Sequence, residues 1–263
     1  MNIPFVKLHG AKNDFLLTYI EDAPAKGLPA IAVAICDRYT GVGGDGWMLV
    51  DRAAGAGYDA SIRLFNSDGS EPELSGNGTR CAAAVLLRGR TEGVVRIRTG
   101  AGIKHLELIE RVGSEYWFRM DMGDVRVVDL NASVQRHDAV IVDAGNPQCA
   151  VMVKDFDFDW RTLGASIERD PRFPKRTNVS FVRAVDRNTI EVRFWERGAG
   201  ETNSSGTGST GAAVAAAARG LAESPIVVDT PAGPLYVRLE NRILLTGPAE
   251  FVAEGSYVYV TSA

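Results

Sequence analysis

A chain of 263 residues, 45% hydrophobic and 24% charged, has room for two globular domains, and this composition excludes a disordered or fibrous protein. Its 29 Lys and Arg against 33 Asp and Glu leave a net charge of -4, with no basic excess to neutralise phosphates, so a nucleic-acid surface is not expected and partners should be small molecules. No apolar run reaches the roughly 18 residues of a membrane helix, and Met1-Asn-Ile-Pro-Phe5 lacks the basic flank and apolar core of a signal peptide, so the expected location is cytoplasmic, with no membrane partner.

In chain order, residues 4–20 read as a strand, a polar turn at His9-Gly-Ala-Lys-Asn13-Asp14, and a second strand. Residues 28–38 carry a helical apolar pattern that ends on the basic Arg38. The following Thr40-Gly-Val-Gly-Gly-Asp-Gly46 is a glycine-rich loop with neither a Walker pattern nor a Rossmann context, which argues against a phosphate site. Strands are expected over 47–50 and 60–66, then a long polar loop, a helix over 79–88, and strands over 94–98, 103–110 and 115–122. The second half reads as a strand over 139–143 that leads to Gly145-Asn146-Pro147 and continues over 151–153. A helix over 160–169, strands over 178–184 and 189–196, a second long loop, a helix over 210–219 and a last strand over 257–260 complete it.

The two long loops are copies of one another. Each has an aromatic (Phe65, Trp195), a polar stretch with glycine, then Ser-Gly-x-Gly (from Ser75 and from Ser205) opening an alanine-rich run. The spacing from Ser75 to Ser205 recurs, within one residue, from Thr99-Gly-Ala-Gly102 to Thr230-Pro-Ala-Gly233. The chain is therefore expected to be an α/β protein of two pseudo-symmetric domains from an internal repeat, each a mixed sheet wrapped around a central alanine-rich helix. Residues 1–115, joined by 250–263, would form the first domain and 116–249 the second, with the boundary in 113–131. A cleft between two such domains is a natural ligand site.

A lone Ser before glycine is ordinarily a helix N-cap, but a cap requires no matched stretch ten residues upstream. If both Ser-Gly-x-Gly segments served one ligand, two helix N-termini would offer N–H groups to its carboxylate, and Ser75 and Ser205 would flank the reacting carbon. Such a pair suits two-base chemistry, in which a proton leaves one face and another arrives on the opposite face. Arg197 is a candidate carboxylate clamp and Glu196 a candidate ammonium acceptor. Asn13, Asn66, Asn146 and Asn178, each at a strand end or turn, supply donors and acceptors for a polar amino acid. The three cysteines, Cys36, Cys81 and Cys149, have no Cys-x-x-Cys spacing, and with only three histidines no metal site is expected.

With these residues in place the sequence resembles the diaminopimelate epimerases over almost its whole length. The likeness rests on His9-Gly-x-x-Asn13-Asp14-Phe15, Asp37-Arg-x-x-Gly41-Val-Gly-x-Asp45-Gly46, Phe65-Asn66-x-Asp68-Gly69-Ser70-Glu71, Gly76-Asn77-Gly78-x-Arg80-Cys81, Gly145-Asn146-Pro147, Glu196-Arg197-Gly198-Ala199-Gly200-Glu201-Thr202 and Gly206-Thr207-Gly208. The resemblance implies two pseudo-symmetric α/β domains, no pyridoxal phosphate or other cofactor, a cytoplasmic homodimer, and a place in bacterial lysine and cell-wall synthesis. It also implies that Asn13, Asn66, Asn146 and Asn178 hold the polar ends of the substrate, with Gly76, Asn77, Glu196, Arg197, Gly206 and Thr207 completing the pocket.

The chain departs from the family pattern at the two catalytic positions. The family's bases are cysteines immediately before Gly-Asn-Gly and Gly-Thr-Gly; here Ser75 and Ser205 stand there, and Gln148 stands where histidine is common. A thiol ionises at about 8.5 and lower at a helix N-terminus, whereas an alcohol lies at about the 15.7 of water. The gap of about 7 units amounts to roughly 10 kcal/mol, and helix dipoles return only about 0.3–2 kcal/mol of it. No His or Lys lies close by in sequence to activate either serine. Three outcomes are compatible with this pattern: an epimerase of diaminopimelate slowed by serine, one-base chemistry such as an amino-acid dehydratase in the same pocket, or an amino-acid-binding homologue without turnover.

Overall fold

The computed structural model describes residues 1–260. The chain divides into two compact units, one from Met1 to Met120 together with the segment from Pro248 onward, the other from Asp121 to Gly247. Of the C-terminal segment expected to join the first domain, residues 261–263 lie outside the described residues.

In the first unit the strands are β1 (Asn2–Gly10), β2 (Asn13–Tyr19), β3 (Gly46–Asp51), β4 (Ala60–Asn66), β5 (Gly93–Thr99), β6 (Gly102–Val112) and β7 (Glu115–Asp121, whose last residue belongs to the second unit). The long strand β16 (Ile243–Val258) leaves the second unit at Gly247 and then pairs with both β7 and β1. That double pairing closes the eight strands into a ring, which leaves no free edge. The second unit is built from β8 (Arg126–Val134), β9 (His137–Asp143), β10 (Pro147–Met152), β11 (Asn178–Ala184), β12 (Thr189–Glu196), β13 (Gly200–Thr202), β14 (Ile226–Thr230), β15 (Gly233–Leu239) and the start of β16. Its strand order is β8-β9-β10-β11-β12-β14-β15-β16, with β13 paired to β12.

The repeat read in the sequence is a repeat of strand directions. From β1 to β7 the pairings run antiparallel, parallel, antiparallel, parallel, antiparallel, antiparallel. From β9 through β12 and β14 to β16 they run in the same order. Parallel neighbours need a crossover, and each of these four junctions carries a helix: α1 (Leu28–Cys36), α2 (Gly76–Leu86), α3 (Trp160–Glu168) and α4 (Gly206–Ala218).

The two kinds of helix differ as their sequences require. In α2 every residue from Gly76 to Val85 is buried, and α4 is buried along most of its length. Alanine and glycine allow strands to approach such helices closely: α2 packs on β1, β2, β4 and β5, and α4 on β8 to β12, β14 and β15. The small residues on all sides of these helices let them lie inside, and the polar ones that α2 buries there, Asn77 and Arg80, are hydrogen-bonded. α1 and α3 instead lie on the sheet and bury one side each, α1 through Ile31, Ala32 and Ile35 against Trp47 and Phe65, α3 through Trp160 and Ile167 against Val179 and Phe181.

Several boundaries differ from expectation. Both central helices begin earlier, at Gly76 and Gly206, because Ser75 and Ser205 cap them and burial overrides the poor helix propensity of the glycines. Residues 126–131, read as part of the boundary, belong to β8, and the final strand is the far end of β16. Proline inside β15 and β16, at Pro234 and Pro248, hides their alternation. Among the described residues no helix is long and apolar enough to cross a membrane.

Candidate active site

In the first unit the polar residues gather where β1 turns into β2 and where α2 begins. The turn is two residues long, Ala11 and Lys12, both left-handed (φ 50° and 61°), so Asn13 emerges directly opposite Gly10. A Cβ on Gly10 would stand 2.9 Å from the Asn77 carbonyl oxygen, so only glycine lets β1 lie this close to the first turn of α2. Asn77, 2% exposed, donates to Asn13 Oδ1 at 3.3 Å, and Asn13 donates to Asp45 Oδ2 at 2.6 Å. Asp45 also accepts from Asp14 N at 3.1 Å and from Arg38 at 2.8 Å. Burial raises the Asp14 carboxyl's pKa, but Arg38 and Lys7 outweigh it and hold Asp14 below the usual carboxylate range.

From the other side Asn77 Oδ1 accepts from Arg80 at 2.5 Å. Arg80 is fully buried and donates Nε to the Pro248 carbonyl at 3.1 Å. Desolvation lowers its guanidinium to about 10, still charged at neutral pH. Ser75 is the N-cap of α2, its Oγ accepting from Gly78 N at 3.1 Å. Asn66 stands apart from this chain of bonds: its side chain donates to Ser70 Oγ at 2.9 Å within the loop.

The second unit repeats the cap and adds a carboxylate. Ser205 Oγ accepts from Gly208 N at 3.1 Å, as Ser75 does from Gly78, and it also donates to Glu196 Oε2 at 3.2 Å. Thr202 donates to the other oxygen of Glu196 at 2.7 Å. No His or Lys was expected beside either serine, and at Ser205 the neighbour is instead a carboxylate: the returning strand β13 brings the loop back against β12, at whose end Glu196 stands. Glu196, expected to meet an ammonium, is engaged by two hydroxyls. Arg197, expected as a clamp, has an exposed side chain that donates to the Lys175 carbonyl at 3.2 Å.

Gln148, 1% exposed, donates to Asn146 Oδ1 at 2.7 Å and to Thr207 Oγ1 at 3.2 Å, and Asn146 donates to the same hydroxyl at 3.4 Å. Asn178 accepts from Arg197 N at 3.0 Å and donates to the Pro147 carbonyl at 3.1 Å. The expected residues thus form connected groups within their own units. One is Asn13 with Asn77; the others are Asn146 with Thr207, Asn178 with Arg197, and Glu196 with Ser205. Gly76 and Gly206 are the first helical residues behind the caps. Sequence reasoning gave no role to Asp45, Arg80, Thr202 or Gln148, although Asp45 and Arg80 were visible as charges inside a glycine-rich loop and an alanine-rich helix.

The three cysteines are free and buried, and desolvation pushes each thiol up to about 12. None is an available base. Among the described residues no cluster of His, Cys, Asp and Glu has the makings of a metal site.

Each unit thus carries one capped, glycine-opened helix with polar side chains at its mouth, within a repeated α/β architecture. A solved hydroxyproline epimerase from Agrobacterium vitis, crystallised with trans-4-hydroxy-L-proline, has this fold (TM-score 0.75, 15% identity, 97% of this chain and 92% of that one). Sequence comparison narrows the class: the diaminopimelate epimerase family model matches residues 5–128 and 140–252. Diaminopimelate epimerases of Pseudomonas syringae pv. tomato (38% identity, 97% of this chain, 99% of the relative) and of Pelotomaculum thermopropionicum (37%, 98% and 99%) align along nearly the full length. The chain belongs to the diaminopimelate epimerase family.

Proposed function

We propose that this enzyme interconverts LL- and meso-2,6-diaminopimelate by moving the proton at Cα, with Ser75 and Ser205 at the two proton-transfer positions. The observation that carries the reading is the matched pair of caps: each serine accepts a helix N–H at 3.1 Å and opens a glycine-led, alanine-rich helix, in a chain that aligns with the epimerases end to end. In this reading Asn13, Asn66, Asn146 and Asn178 hold the polar ends of the amino acid. Gly76, Asn77, Gly206 and Thr207 present helix N-termini to its carboxylate, and Glu196 and Arg197 complete the pocket. No pyridoxal phosphate is called for. Family resemblance supports a cytoplasmic homodimer acting in lysine biosynthesis.

The chemistry can be followed at Ser205. For Ser205 Oγ to accept the Cα proton, its own proton must pass to Glu196, to which it already donates at 3.2 Å. A hydrogen bond to a charged group contributes about 1.5–3 kcal/mol, against roughly 10 kcal/mol separating alcohol from thiol. The carboxylate recovers part of the deficit and the remainder makes turnover slow.

The test is deuterium incorporation at Cα in deuterated water, with LL- and meso-diaminopimelate as substrates. Incorporation with interconversion of the isomers is expected. Formation of a keto acid, or tight binding with no incorporation, would overturn the reading in favour of one-base chemistry or a binding protein.

A further inference from the structure

Glu168 stands where helix physics disfavours an acid. It is the last residue of α3, at the negative end of the helix dipole, and its side chain is 4% exposed. Burial pushes its carboxyl up, yet the balance lies below the usual carboxylate range because three donors converge on it. Trp195 donates Nε1 to Oε2 at 3.1 Å, Gly198 donates its backbone N–H to Oε1 at 3.0 Å, and Arg176 donates to Oε1 at 3.2 Å.

Two of those donors bracket Glu196 and Arg197. The segment between them is a turn closed by Ala199 N on the Glu196 carbonyl at 3.1 Å, with Gly198 left-handed at φ 79°. Arg197 N is bound separately by Asn178 Oδ1 at 3.0 Å. Residues 195, 197 and 198 are each pinned by a side chain from outside the turn, and two of the three pins are the oxygens of one carboxylate.

We propose that Glu168 is a positioning residue whose carboxylate sets the turn carrying Glu196 and Arg197, and so the affinity of the second unit for its amino-acid substrate. The assignment rests on the function proposed above. A carboxylate is required because both oxygens must accept; glutamine would turn one amino group toward an N–H donor and lose at least one of the bonds. An acid buried against the local helix preference, with its compensation drawn from a functional turn, is a conflict that proteins keep at sites.

The experiment is calorimetric titration of the full chain and of Glu168→Gln with meso-diaminopimelate, together with the indole N–H resonance of Trp195, assigned by its loss in Trp195→Phe. Glu168→Gln is expected to shift that resonance, to raise Kd at least tenfold and to leave the helical circular-dichroism signal unchanged. A Kd within twofold of the wild type would overturn the assignment while the functional reading stands. Wild type that binds no diaminopimelate would overturn that reading and this assignment with it. Should Glu168→Gln fail to fold, Trp195→Phe removes one pin without stranding a charge and is expected to raise Kd at least threefold; an unchanged Kd there overturns the proposal.

Discussion

At the scale of single residues the two serines are not equivalent. Both cap a helix by the same bond, but only Ser205 donates to a carboxylate, Glu196. The position matching Glu196 in the first repeat is Asn66, whose amide is committed to Ser70. An alcohol with or without a carboxylate partner still falls short of a thiol by most of roughly 10 kcal/mol, so Ser75→Cys with Ser205→Cys is expected to raise Cα exchange by orders of magnitude. The assay is deuterium incorporation; a double variant that binds diaminopimelate but remains inert would show that the two proton-transfer groups are elsewhere. The native thiols provide the complementary check. With each pushed up to about 12 by burial, Cys36, Cys81 and Cys149 should not react with a thiol reagent at pH 8 in the folded protein. All three should react in concentrated guanidinium. A fast-reacting thiol in the native state would contradict this.

At the scale of elements, the site is made by helix starts, and those depend on glycine for room. A Cβ on Gly208 would lie 2.9 Å from Ser205 Oγ and 3.0 Å from a Phe194 ring carbon, so Gly208→Ala must push the capping hydroxyl away or shift α4. The expected cost is about 1–3 kcal/mol from overpacking, seen as a lower denaturation midpoint, with loss of Cα exchange because Ser205 leaves Glu196. Unchanged stability and exchange would mean that α4 tolerates a displaced start. The sequence makes much of this legible. The alanine runs identify the central helices, the paired Ser-Gly-x-Gly identifies their starts, and the fixed offset between copies identifies the shared strand order. What it does not show are bonds made by chain return. The Glu196–Ser205 contact depends on β13, only three residues long, and the approach of Asn77 to Asn13 depends on a left-handed two-residue turn without glycine. Short strands and non-glycine residues at positive φ carry almost no pattern of their own.

At the scale of the whole molecule, the first unit is completed by residues from the far end of the chain. Asn2 pairs with Val258 and His9 with Glu250, Phe251 N donates to Ser114 O at 3.2 Å, and the Pro248 carbonyl accepts from Arg80 at 3.1 Å. The ring of eight strands therefore cannot close until almost the entire chain has been made, a long-range pairing whose entropy must be met late in folding. A chain ending at Gly247 keeps the β15–β16 register from Ile243 to Thr246 but loses all the β1 pairings of β16. It exposes β1 and the first part of β7 as open edges, while Met122 keeps its bond to the Ile243 carbonyl, and it strands a fully buried guanidinium that already has Nη1 without a partner. Each abandoned buried donor costs about 1–3 kcal/mol, more for a charged group, and eight pairings go with it. Amides of β1 and α2 should then exchange with deuterium far faster than in the full chain, while those of α4 and β11, whose partners all remain, keep their protection. Because Arg80 holds Asn77, and Asn77 holds Asn13, diaminopimelate binding should be lost even though every residue named at the site is still present. Retained protection in β1 would show instead that the strands around α2 hold together without their closing strand, and that the C-terminal return serves something other than the first unit's stability.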